Sequence, residues 1–446
     1  MTLPKRVCGW LGKWSLWRAL GIVALVLAVT VGCVVGGLIV FENWPNIGVD
    51  SWRARLNVAR DVGIVLAGVI ALLVAGWRGF AADRQASAAQ IQVDAALRQN
   101  DTAQTDLRDR GYQKGAEMLG SDLLAVRLAG IYALDRLARE HPSEYYLQVK
   151  RLFCSFVRFP IRDDHGARAE LNVRDDIQQI MWALRDRTDE HRVLDSDDTQ
   201  GFDFTGADLR RSQLMGFSAS RASFSHTDLS PSSLTRANLP GASFAYADAS
   251  NVEFDDALLE SALFFKTNLN GSTFRRAYLR YASFSGNQFH KARFGGSDMR
   301  NVNLRNADLT GAEFSGVDLQ EAELDFETSL KDVDLSSANL TRAKCEDLNL
   351  SGARMFRCDL TEAVLIGANF EGADLSYANL SGALIGVPTH DPAIGLTQEQ
   401  LDQAGADPEN PPKLDGALDA ETGDQLRWEG RSWEGRDAYG PQPRLF

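Results

Sequence analysis

The side chains able to do chemistry are scattered. The six histidines, His141, His165, His191, His226, His290 and His390, neither pair with one another nor meet a cysteine at the spacing that sets two metal ligands on one helix face. The five cysteines, Cys8, Cys33, Cys154, Cys345 and Cys358, are odd in number and far apart, which fits neither a disulfide framework nor a paired zinc motif. No HExxH, GxSxG, Walker or GxGxxG pattern occurs. Carboxylate pairs among 60 acidic residues are expected by chance. The expectation is therefore a non-enzyme with no catalytic, cofactor-binding or metal-binding residues and no cofactor.

The elements that would position a site say more. The chain of 446 residues has room for two or three domains, and its net charge of −13 argues against nucleic-acid binding as its main purpose. Residues 19–41, "ALGIVALVLAVTVGCVVGGLIVF", carry no charge and exceed the roughly 20 residues a spanning helix needs. A cleaved signal peptide is the rival reading, but its apolar run would be shorter and no second run would follow. That second run, residues 62–80, closes a hairpin around a loop at 42–61. Lys5, Arg6, Lys13 and Arg18 in the N-terminal residues 1–18 outweigh the mixed charge of that loop, placing both termini in the cytoplasm. Gly32 and Gly36 form a GxxxG pair that would let two first spans pack as a homodimer, with chance glycines an equal alternative.

Residues 81–111 are alanine-rich and polar, a helical stalk. Residues 112–200 read as a small helical module, with Leu124, Leu128, Ile131 and Leu134 on one helix capped by Ser121, Tyr146, Val149, Phe153 and Phe156 on the next, and Ile177, Ile180, Met181 and Leu184 on a third.

From Phe204 the period changes to five. Large apolar residues recur at 204, 209, 214 and onward to Leu324, one extra residue enters between Asp325 and Ser329, and the count resumes at Leu330 to end at Ile385. A small residue usually precedes each by two positions, as in "ADLTG" and "ANLSG". Neither a 3.6-residue nor a two-residue period fits. A chain that turns a corner every five residues does, because two alternate residues then point inward and the next two make the turn. Four sides make a coil of twenty. Phenylalanines recur at that interval, Phe204, Phe224, Phe244, Phe264 and Phe284 on one side and Phe254, Phe274, Phe294 and Phe314 on the opposite one, with leucines such as Leu304, Leu309 and Leu319 continuing the core. Cys345 and Cys358 take inward positions, buried and inert.

These A(D/N)LxG units resemble those of the pentapeptide-repeat proteins, and "YQKGAEMLGSDLLAVRLAGIYALDRLA" upstream is similar to a segment of membrane-anchored bacterial members. The resemblance implies an α+β chain: two transmembrane helices, a helical module, and a right-handed four-sided parallel β-helix over 201–387 with a capping helix in 388–408. Thr397, Gln400, Leu396 and Leu401 supply that cap. Residues 409–446 are acidic and proline-containing, expected to be disordered. Within them "WEGRSWEGR" is either a recognition motif or an idle duplication.

Some soluble members of the family mimic DNA and bind type II topoisomerases, so that regulation is the alternative function, with a lipid- or envelope-associated structural role as another. The acids that would mimic phosphate, such as Asp208, Asp228 and Asp308, sit where the repeat uses Asp or Asn for coil geometry. A basic set, Arg275, Arg276, Arg280, Lys291, Arg293, Arg300 and Arg305, interrupts them and is the candidate interaction face. The expected partner is an unidentified protein, with nucleic acid disfavoured and the membrane engaged by two spans.

Overall fold

The computed structural model describes residues 50–160, 174–386, 393–414, 417, 419 and 421–429, with seven further positions between 21 and 36. The chain divides into two compact units, Met1–Asp106 and Leu107–Phe446. Most of the first apolar run lies outside the described residues, so no second span is described beside the one that follows.

Helix α1, Asp50–Leu119, runs without a break through what the sequence suggested were the end of a loop, a second span and a stalk. The expected boundaries at 61, 80 and 111 are not helix ends. Proline is absent from this stretch and alanine abundant, so nothing in it stops a helix once started. Its Ala59–Leu119 part is long and apolar enough to cross a membrane, with a window of mean hydropathy 2.0 of which none is buried.

In the second unit the last turns of α1 pack against α2, Leu124–Glu140. The approach is close. A Cβ on Gly130 would stand 2.9 Å from the carbonyl oxygen of Gly115, and one on Gly115 would stand 2.7 Å from Leu134 Cγ. The N-cap of α2 is Leu123, not Ser121; the Ser121 hydroxyl instead accepts the Leu123 N–H at 3.2 Å. A π-helical turn, Pro142–Tyr146, leads into α3, Leu147–Arg158, and α4, Asp175–Arg185, and α5, Asp189–Asp197, complete the module. Ile131, Leu134, Tyr146, Val149, Phe153, Ile177, Ile180 and Met181 form its buried core. Through it passes an ion pair with both side chains fully buried, Arg127 Nε to Asp176 Oδ2 at 2.7 Å. Arg127 also donates to the Ser121 and Asp122 carbonyls, at 3.0 and 2.9 Å. Burial disfavours the Asp176 carboxylate, but the Arg174 and Arg127 guanidiniums more than offset this and hold its pKa below the usual range.

The rest is a four-sided solenoid. Parallel bridges join each repeat to the one twenty residues on, or twenty-one across the extra residue near 325, from Asp203 with Ser223 to Val364 with Leu384. The turn chemistry is uniform. In the corner Phe204–Ala207 the Ala207 N–H donates to the Phe204 carbonyl at 3.0 Å and Gly206 has φ +72°, the geometry of a turn that needs a left-handed third residue. That position is glycine in only some corners; elsewhere Arg, Lys, His, Asn, Asp, Glu, Tyr or Ser accepts the same φ, as at Arg211, Asn251 and Tyr281. Every such corner stores strain that the stacked core must outweigh.

The core does so by stacking rings. Phe244 lies 4.8 Å from Phe264, stacked nearly parallel at 4°, and each of these columns meets the opposite one edge-on, as Phe254 meets Phe264 at 5.9 Å and 90°. The twelve core positions singled out above, Phe204 to Leu319, are all at most 1% exposed. Each ring contributes about 1.5–3 kcal/mol by burial.

The extra residue near 325 is absorbed locally. Thr328 turns inward, 1% exposed, and its hydroxyl donates to the Leu304 carbonyl and to Asp325 Oδ1, both at 2.9 Å, while Phe326 is pushed outward. After Ile385 the chain adds one irregular coil: Ile394 pairs with Asn369, Gly405 with Asn379, and β2, Lys413–Leu414, with β1, Leu384–Gly386. Helix α6, Gln398–Gln403, occupies one side of it. The expectation of disorder from 409 onward is thus corrected for the described part of the tail. Ala417 and Leu426 are buried, and Leu414 and Trp428 pack on the same core. Apolar residues in this acidic stretch find the open end of the solenoid, which an estimate from composition overlooks. Trp433 lies outside the described residues.

Candidate interaction surface

Each five-residue unit sends three side chains outward: one on the flat of a side and two at the corner. The flat position is usually Asp, Asn or Ser, and its role is geometric. Asp308 Oδ1 accepts the Thr310 N–H at 3.1 Å and its hydroxyl at 2.6 Å, and Asp228 does the same for Ser230. The amide of Asn268 donates up the ladder to Asp248 at 3.1 Å, and that of Asn339 to Asp318 at 3.0 Å. These acids are occupied in holding corners.

The seven basic residues do not share a face. Arg275 and Arg276 lie at one corner, Arg280 and Arg300 at the next, Arg305 at a third and Lys291 at the fourth, with Arg293 on a flat side. The twenty-residue period separates residues that look adjacent in sequence, so the single basic face is corrected to a set of inter-coil clasps. Five of the seven pair with an acid: Arg276 with Asp256 at 2.7 Å, Arg280 and Arg300 with Asp298 at 2.7 Å, Arg293 with Glu313 at 3.8 Å and Arg305 with Glu323 at 3.5 Å. Exposed pairs of this kind contribute ~0–1 kcal/mol each.

The structure assembles two features the sequence reading missed. The first is a set of exposed apolar side chains. Tyr246, Leu258, Leu263, Phe265, Tyr278 and Tyr281 are between 40% and 58% exposed; Leu258 and Tyr278 stand on the flat of one side, Leu263 on the flat of the next, Tyr281 at the corner between them and Tyr246 and Phe265 at the corner beyond. The signal was present in "ALLESALFF", where leucine stands at the flat position of two consecutive units. The second is the first coil's edge. Gln178 of α4 accepts the Gln213 N–H at 2.8 Å and donates to its carbonyl at 3.0 Å, so one side-chain amide replaces a missing strand. Arg187 donates to the Ser218 carbonyl, stacks on Phe202 at 4.6 Å, and pairs with Asp195 at 2.9 Å.

Among the described residues no three His, Cys, Asp or Glu side chains gather as a metal would require. Burial pushes the Cys345 thiol up to about 12, far from reactive.

This geometry can be set beside known proteins. The family model for pentapeptide repeats matches in eight copies over 222–260, 257–296, 288–325, 327–355 and 353–384. The solenoid is a pentapeptide-repeat domain. Among solved structures this chain is similar to HetL from the cyanobacterium Nostoc sp., a protein involved in heterocyst differentiation regulation. Identity is 25% over 50% of this chain and 91% of that one, with a TM-score of 0.27. It is also similar to QnrB1, a plasmid-mediated fluoroquinolone resistance protein, with 20% identity over 49% and 87% and a TM-score of 0.20. A pentapeptide repeat protein of the Arabidopsis thaliana thylakoid lumen gives 27% over 32% and 81%, with a TM-score of 0.17. No curated protein matches the chain.

Proposed function

We propose that the protein is a non-enzymatic interaction scaffold, tethered to a bacterial inner membrane by its apolar helices, whose rigid pentapeptide-repeat domain displays outward ladders to a protein partner. The observation that carries this reading is the surface itself: a stacked core fixes outward side chains every 4.8 Å or so along each side, and the acids and arginines that suggest chemistry are taken up in corner and clasp contacts. The apolar window of α1 supports the tether. The helical module at one end and α6 at the other act as caps, which a solenoid needs to keep its edges from pairing with other chains. Against DNA mimicry stands the interleaving of arginines with the acids across coils, which breaks up a phosphate-like field.

The experiment is capture of the tagged full chain from native membranes, followed by mass spectrometry, with Phe284→Asp as the control that buries an unpaired charge and disrupts the solenoid. A partner retained by the native chain and lost by the control is the expected result. An identical set of proteins in both samples would contradict the scaffold reading.

A further inference from the structure

We propose that α1 pairs with α1 of a second copy of the chain, along residues 78–107, as a parallel two-stranded coiled coil. The inference concerns α1 alone and depends neither on a foreign partner of the solenoid nor on the membrane tether.

This part of α1 has no neighbour within the chain. Every residue from 82 to 104 is exposed, and among the described residues no ion pair joins any of them to another side chain. A helix that is polar over most of its surface persists in water through pairs at i, i+4 or through a packed neighbour, and here no such pair closes.

The register identifies the neighbour. Counted in sevens, position a is Ala86, Val93, Asn100 and Leu107, and position d is Ala82, Ala89, Ala96 and Ala103. Of the charged residues between 82 and 104, Arg84, Asp94, Arg98 and Asp101 all fall at the outward positions b and f. The remaining one, Asp83, is at e. In a parallel pair each g residue meets the e residue five places on in the mate, which sets Arg78 against Asp83, Gln85 against Gln90, Gln92 against Leu97 and Gln99 against Gln104. The first pair attracts, two join amides that donate and accept in turn, and no like charges meet. Val93, Leu97 and Leu107, 52%, 62% and 66% exposed, are then covered, while Ile91 at f stays outside the seam.

Asn100 fixes the direction. In parallel chains the two Asn100 side chains face each other, and the amide of one donates to the carbonyl of the other. In antiparallel chains a faces d, so each Asn100 would meet an alanine and leave its amide without a partner. The alanines at d let the two backbones approach closely, so many weak contacts replace the large side chains of other coiled coils. A bilayer fits this face less well, because Asn100 stands within it and glutamines line its edge. Two solenoids carried on one stalk would give a multimeric partner a second contact that is intramolecular.

The test uses the full chain in detergent micelles, with Cys8→Ser and Cys33→Ala; Cys154, Cys345 and Cys358 are buried. Single cysteines are introduced one at a time and oxidised: Ala82→Cys, Ala89→Cys, Ala96→Cys and Ala103→Cys at d, and Ala81→Cys, Ala88→Cys, Ala95→Cys and Thr102→Cys one residue earlier, at c. Disulfide-linked dimers are expected to form at least about tenfold faster at every d position than at its c neighbour. Equal rates at d and c, or no linking at d, overturn the proposal. In a mixture of two differently tagged chains, Ala82→Cys is expected not to link to Ala103→Cys, since three heptads set them ~31 Å apart. A mixed product overturns the parallel pairing.

Asn100→Asp then reads the seam itself. In the chain carrying Ala96→Cys it sets two carboxylates against each other, and is expected to slow linking about tenfold or more while the melting of the helical module and solenoid is unchanged. Linking as fast as before would place the contact elsewhere, the membrane spans included, and overturn the proposal.

Discussion

The two ends of the solenoid meet the same problem with different chemistry. Each end coil presents backbone groups that interior coils bond to a neighbour. At the first coil they meet side chains from helices, the Gln178 amide on Gln213 and Arg187 on Ser218, beside an ion pair of Arg158 with the Asp203 carboxylate at 2.5 Å. At the last coil they meet more backbone, supplied by residues 394–414, with Gln400 donating to the Phe370 and Ala373 carbonyls at 3.1 and 2.8 Å. The first end is closed by a charged helical module, the second by a strand-like extension of the solenoid's own ladders. The difference teaches that an edge can be closed by any group with the right donors and acceptors, and that only the energetics distinguish the solutions.

The sharpest way to break this contrast is at the buried ion pair. Asp176→Ala leaves Arg127 charged in a site with no exposure, and breaking such a pair costs about 3–5 kcal/mol. Thermal unfolding should show the module melting early, with the first coil losing protection and the last coil keeping it. At the other end Leu401→Ala, at a position with 0% exposure, should cost about 2–4 kcal/mol. Limited proteolysis should then cut within 394–429 while the module stays intact.

Smaller effects sharpen the comparison. Gln178→Ala strands one N–H and one carbonyl of Gln213, about 1–3 kcal/mol by denaturant titration, whereas Gln178→Glu keeps the acceptor and loses the donor, and should fall between. The smallest effect concerns pH. His191 stacks on Tyr146 at 4.1 Å and its Nε2 lies 3.0 Å from the Ala138 carbonyl, while burial holds its pKa below the ordinary value. The unfolded chain therefore takes up a proton first. Stability is fully present above the ordinary histidine pKa of about 6.5 and declines as pH falls below it. Melting of the module should be lower at pH 5.5 than at 7.5, and His191→Phe, which keeps the stack, should flatten that difference.

What the sequence revealed follows from periodicity. Five-residue spacing with phenylalanines every twenty is a pattern that only a four-sided coil satisfies, so Phe264 and Phe274 could be set on opposite sides before any coordinates. The ends lack a period. Nothing in the letters of Gln178 says that its amide stands in for a strand, because the contact spans 35 residues and depends on where α4 lands. The tail misled for a related reason: Leu414, Ala417, Leu426 and Trp428 are too sparse to signal a core, yet they need only complete one. The basic residues misled by proximity in the sequence, which a coil of twenty converts into separation around its circumference. The outward leucines, Leu258 and Leu263, were legible and passed over, because leucine in a repeat already full of it draws no notice unless its position in the unit is tracked.

The central claim is that the solenoid is one cooperative stack closed at both ends, and hydrogen exchange of the full chain tests it most directly. The account predicts that amides of the first coil, Gln213 among them, and of the last, Gly405 and Lys413, exchange within about tenfold of interior amides such as Phe264 and Phe274. End coils exchanging about a thousandfold faster than that interior would show frayed edges, and would contradict it.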